Sequence, residues 1–139
     1  MELSKAVRTG YFQALSGIGY PIFDAYAPDD ININPPYVLL STQTSVQEGI
    51  KRCKAYDVSI TVDIVTESSS TMGRSLSEDI SELIEDIINP DTFQDIDLSP
   101  YGYSVVDTTR GNDRSIETKT DNSYIYRKLI TYNHLITKL

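Results

Sequence analysis

Residues 56–88, YDVSITVDIVTESSSTMGRSLSEDISELIEDII, decide the fold. Tyr56, Val58, Ile60, Val62 and Ile64 alternate with Asp57, Ser59, Thr61 and Asp63, the two-residue period of a strand with one apolar and one wetter face. A Ser/Thr-rich turn follows, and the period then becomes helical. Leu76, Ile80, Leu83, Ile84 and Ile87 make an apolar stripe, with Glu78, Asp79, Glu82, Glu85 and Asp86 on the opposite side. Ser75 and Glu78 have the S-x-x-E spacing of a capping box, and Asn89-Pro90 ends the helix. Burying such a stripe is worth on the order of 10 kcal/mol before chain entropy is subtracted. The stripe must therefore lie on the sheet, and the acidic face must not.

Upstream, Leu3, Ala6, Val7, Tyr11, Phe12, Ala14 and Leu15 recur at helical spacing over about 3–16. Gly17 and Gly19 are placed to cap that helix, and Pro21 forbids its continuation. Ile22 and Phe23 read as a short strand. Residues 27–36, with Pro28, Asp29, Asp30, Asn32, Asn34, Pro35 and Pro36, read as a loop. The stretch YVLLSTQ, Tyr37–Gln43, is a strand launched from the proline pair, where no ladder donor is needed. Gln47, Glu48 and Gly49 are expected to turn the chain into the long strand of about 51–66, making an antiparallel hairpin.

Downstream, Tyr103–Thr109 and Ser123–Thr137 read as strands, separated by a polar segment, 110–122. A segment of that length is expected to be a functional or partner-ordered loop. The last strand is apolar on both sides. Tyr124, Tyr126, Ile130, Tyr132 and Ile136 share one side, and Ile125, Leu129 and Leu135 the other. One helix layer covers one side of a sheet, so a neighbouring subunit is expected to cover the rest. The fold class is α+β. A mainly antiparallel sheet of four to five strands packs against two helices in the order α-β-β-β-α-β-β, all in one domain spanning 1–139.

Composition narrows the function. The 139 residues carry a net charge of −8, which argues against general nucleic-acid binding, since that needs a basic footprint. Ten Tyr and three Phe, with no Trp, suit half-wet surfaces and protein contacts. No apolar run approaches the length that spans a bilayer, and the expectation is a soluble protein made in a cytoplasm. Cys53 is the single cysteine, so no internal disulfide or Cys/His zinc site is available, and a small, partly buried side chain is expected there.

No constellation for chemistry emerges. No phosphate loop is present, and Gly17-Ile18-Gly19 lacks the third glycine of a dinucleotide fingerprint. His134 is the single histidine and reads as structural or surface rather than as a base. The helix acids could pair as glycosidases pair carboxylates, but they sit on one solvated face. Asp29, Asp30 and Asn32 resemble a calcium loop only loosely, without its glycine and terminal glutamate. Arg110 and Arg114 could grip an acidic partner or simply decorate a hairpin tip.

Three details recur together: Pro35, Pro36 and Tyr37; the alternating strand from Tyr56 to Val65; and the helix MGRSLSEDISELI from Met72 to Ile84. In this order the chain resembles the tail-completion and tail-terminator proteins of tailed bacteriophages, over nearly its whole length. The resemblance implies a virion protein without enzymatic activity or cofactor. Such a subunit assembles into a ring, typically a hexamer, that caps the tail tube and joins it to the head connector. It would be located in the virion tail or neck, and in the host cytoplasm during assembly. Its partners would be its own copies, the tube protein and the neck proteins, with DNA passing through unbound and no membrane contact. Contact candidates on this reading are Arg110, Asn112, Asp113, Arg114, Tyr124, Tyr126 and Tyr132. Glu78, Glu82 and Glu85 are candidates for charge facing the lumen, where they would repel passing DNA. The alternatives are another neck protein, a soluble module that binds a protein through 110–122, or a carboxylate hydrolase.

Overall fold

The structure is a computed structural model that describes residues 1–24, 35–50, 52–69, 74–92 and 94–139. Its elements run α1 (Leu3–Leu15), β1 (Ile22–Asp24), β2 (Tyr37–Ile50), β3 (Cys53–Ser68), α2 (Arg74–Ile88), a short 3-10 turn (Ser99–Tyr101), β4 (Tyr103–Lys119) and β5 (Tyr124–Lys138). The expected element order holds. The five strands form one sheet in the order β1-β2-β3-β5-β4, with β1 parallel to β2 and the other pairs antiparallel. The sheet is therefore mixed, and its single parallel contact is the short β1. Most of the proline-rich loop expected at 27–36, with the loose calcium pattern at Asp29, Asp30 and Asn32, lies outside the described residues.

Both helices lie on one face of the sheet. Ala6, Val7, Tyr11 and Leu15 of α1 and Ile80, Ile84 and Ile88 of α2 close over Val38, Leu40, Val58, Ile60, Val62, Ile64, Ile130, Tyr132 and Ile136. The even-numbered positions of β3 and β5 thus fill the core, as their alternation requires. Gly10 lets α1 approach the segment after α2, since a Cβ there would stand 2.5 Å from Leu98 Cδ2.

Four boundaries differ from expectation, each for a physical reason. α2 already begins at Arg74, so Ser75 is a helical residue rather than the cap, and Ser77 Oγ donates to the Arg74 carbonyl. Its buried stripe is Ile80, Ile84 and Ile88 with Ser77 and Ser81, while Leu83 is 44% exposed. A stripe centred on 80, 84 and 88 takes in two serines at helical spacing and turns Leu83 outward. β2 does not turn at Gln47–Gly49 but stays paired with β3 to Ile50, and a register shift between Leu40 and Gln43 breaks the alternation that would have marked it in sequence. Gly49 still serves the turn, with φ +88 and no room for a Cβ, which would stand 2.4 Å from the Cys53 carbonyl oxygen.

The fourth difference is the largest. The expected loop at 110–122 is strand through Lys119, paired residue by residue with β5. Register shifts at Val105/Asp107 and Arg110/Asp113 interrupt its two-residue period, and as an edge strand it is polar on both faces. A polar edge strand with two bulges looks like a loop in sequence. Cys53, expected to be partly buried, is exposed at the start of β3.

Candidate functional site

Two polar assemblies tie the helices to the sheet. In the first, His134 of β5 is 1% exposed and bonded at both ring nitrogens. The Thr108 hydroxyl of β4 donates to an Asp95 carboxylate oxygen at 2.7 Å. Having spent its proton, Thr108 can only accept, so His134 Nδ1–H donates to it at 2.9 Å. Nε2 then accepts from the Tyr11 hydroxyl of α1 at 2.5 Å. Burial lowers the His134 pKa to about 4, partly offset by the Asp95 charge, so the ring is neutral at pH 7. Burial also raises the Tyr11 phenol well above its ordinary value, with Tyr132 and Glu85 adding to the shift. A ring with both nitrogens engaged and no exposed edge has no free atom for a substrate. Its work is to lock α1, β4 and β5 together.

The second assembly centres on Glu85 of α2. It accepts from the Tyr132 hydroxyl at 2.6 Å and from the Asn89 amide at 3.0 Å, and it pairs with Arg110 at 3.5 Å. Arg110 also pairs with Asp113 at 2.6 Å, and Asp113 with Lys128 at 3.5 Å. Burial, then the bond to Glu85, pushes the Tyr132 phenol above its ordinary value.

These contacts distribute the residues singled out from sequence. Arg110 and Asp113 point toward the helix layer, into ion pairs of their own chain. Tyr126 and Tyr132 are buried at 3% and 0% exposure, and Tyr124 is half-buried, stacked on Tyr126 at 6.4 Å between ring centres. Asn112 and Arg114 are exposed, and Arg114, opposite Leu129, projects from the helix-free face. Glu78 and Glu82 are exposed on α2, whereas Glu85 is held by the second assembly.

The face of the sheet opposite the two helices carries no helix among the described residues. Ile125, Leu129 and Leu135 are half-buried on it, and Val46 is 59% exposed. Between them run hydroxyl ladders: Thr42, Thr61 and Thr131 bond in sequence at 3.2 and 3.0 Å, and Thr44 bonds Ser59. Toward β1, Phe23 meets Tyr37 edge-to-face at 5.9 Å, and Asp63, 0% exposed, is bound by the Arg127 guanidinium. Sequence periodicity indicated the apolar part of this face. It could not show the ladders, whose partners lie up to 70 positions apart.

Among the described residues no group of His, Cys, Asp and Glu is arranged to hold a metal ion, and no helix is long and apolar enough to cross a membrane. The hollows lined by described residues are open and shallow. One of about 380 Å³ lies among Thr44, Val46, Asp57, Ser59 and Asn133. Such a surface suits contact with another macromolecule better than enclosure of a small molecule.

No family model matches the chain, and no curated protein matches it by sequence. Among solved structures, the fold matches a chain of the virion of a native gene transfer agent particle. The match covers 97% of this chain and 97% of that one, with a TM-score of 0.75 and 13% sequence identity. Identity that low makes this a shared fold, end to end and without large insertions on either side.

Proposed function

We propose that the chain is a structural protein of a phage-like virion, forming a ring, most simply of six copies, that completes the tail tube and joins it to the head. The observation that carries this reading is the full-length fold match to a chain of a gene transfer agent virion. The helix-free face supports it. Leu135 and the exposed Val46 flank Asp57, with Leu129 and Ile125 further along β5, on a face that no helix among the described residues covers. A second copy laid on that face would bury them, and a contact between two different surfaces propagates around a ring. The partners would be its own copies, the tube protein and the neck proteins, with no cofactor and no catalytic role. The protein would reside in the virion. DNA would pass it without being gripped, as the net charge of −8 favours.

A protein-binding module would have used an irregular 110–122 loop, and that stretch is paired strand through Lys119.

The test is assembly of particles lacking this chain. Unjoined heads and tails, rescued by adding the purified protein, support the role. Normal joined particles in its absence contradict it.

A further inference from the structure

The chain is acidic overall, yet one end of its sheet is cationic. Arg52 and Lys54 at the β2–β3 turn meet Lys138 at the end of β5, around a hollow of about 320 Å³. The pairing explains the cluster: Ala55 lies opposite Thr137, so the adjoining Lys54 and Lys138 fall side by side. All three are exposed, and none forms an ion pair among the described residues. Around a hollow that Leu139 also lines, these three like charges repel one another, and a partner's carboxylates would relieve that.

The same chain carries a complementary surface elsewhere. Asp79, Glu82 and Asp86 surround Leu83 on the outer stripe of α2, forming a hollow of about 350 Å³. These acids are also exposed and without ion pairs among the described residues, and Leu83 is 44% exposed. Within one subunit α2 lies over β3 and β5, with its N-terminal Arg74 bound to Glu117 near the opposite, β4–β5 end of the sheet. The two patches are thus different surfaces, and a contact between them is head-to-tail.

We propose that the cationic sheet end, Arg52, Lys54 and Lys138, docks on the α2 stripe of a second copy of this chain, made of Asp79, Glu82 and Asp86 around Leu83. The inference rests on the ring reading above and names a second contact between the same copies, separate from the helix-free face. Three cations facing three carboxylates orient the approach, and Leu83 supplies apolar area at the centre. A contact between unlike patches closes into a ring when its rotation allows. Edge-to-edge strand pairing is the competing geometry. Against it, β4 carries two register shifts and charged residues, the features that blunt an edge. On this assignment Glu82 lies in the subunit contact rather than the lumen, and Glu78 stays outside it.

Charge exchange tests the proposal on the full chain. One variant carries Arg52→Glu, Lys54→Glu and Lys138→Glu; the other carries Asp79→Lys, Glu82→Lys and Asp86→Lys. All six sites are exposed, so circular dichroism and melting should match wild type. Each variant alone should assemble at least about tenfold more weakly than wild type in native mass spectrometry. Mixed together, they should assemble in a strict 1:1 ratio, because each then offers what the other lacks. Either variant assembling like wild type, or a mixture that stays unassembled, overturns the contact while leaving the ring reading intact. A wild-type chain that never assembles overturns the ring reading and the contact with it. If the basic-to-acidic variant assembles normally but loses retention of a short DNA duplex, the cationic end serves nucleic acid and the proposal fails.

Discussion

His134 shows how much one residue settles when its neighbours leave a single consistent set of protons. Thr108 gives its proton to Asp95, so the imidazole carries hydrogen on Nδ1 and receives the Tyr11 proton on Nε2. The pH dependence follows with a definite sign. The ring has an ordinary value of 6.5 in the unfolded chain and about 4 in the folded one, chiefly through burial. Between these values the unfolded state binds more protons, so this contribution is complete above pH 6.5 and lost as pH falls toward 4. The loss amounts to about 3 kcal/mol. Urea unfolding at several pH values should show that slope, and His134→Asn should flatten it; an unchanged slope in the variant contradicts the assignment. Sequence could identify the histidine, but not that Tyr11, 123 positions away, would reach it.

The helix and the edge strand make their claims one level up. Ile80 is 0% exposed beneath α2, and Leu83, three residues on, is 44% exposed. Ile80→Asp buries a carboxylate with no partner, a cost of several kcal/mol against a total of about 5–15, and should unfold the subunit. Leu83→Asp should melt within a few degrees of wild type, and a large loss there would contradict the helix orientation. On β4, Arg110→Ala breaks half-exposed ion pairs to Glu85 and Asp113 and should cost about 1 kcal/mol. Arg114→Ala should leave stability unchanged, as denaturant melts can check. Equal losses in the two variants would contradict the placement of Arg110 toward α2 and Arg114 away from it.

The elements that were legible in sequence are those whose period survives intact. β3 runs apolar-polar without interruption over Tyr56–Ile64, and α2 keeps its helical spacing from Leu76 to Ile88, so both declared themselves. β4 did not, because two bulges reset its alternation and its edge position removes the apolar signal. β2 loses its two-residue period at its own bulge after Leu40. The ion pairs of Arg110 with Glu85 and Asp113 depend on tertiary neighbours. No local pattern encodes them.

At the scale of the molecule, the sheet has one face sealed by two helices and one face with none among the described residues. Apolar residues of β5 lie on that second face, and the fold matches a chain of a gene transfer agent virion over 97% of this chain. In the proposed ring, burying even a few half-exposed side chains between copies would contribute several kcal/mol to each contact. Leu135→Arg would put a charge on that second face, beside Val46 and Asp57. It should reduce assembly without lowering the melting temperature, since the side chain already touches water in the single subunit. The central claim, that this face is completed by another copy, is most directly tested by the native mass of the purified protein across concentration. The account predicts a closed species at six times the 15.6 kDa chain mass, shifted to single subunits by Leu135→Arg. A protein that remains at 15.6 kDa at every concentration would contradict it.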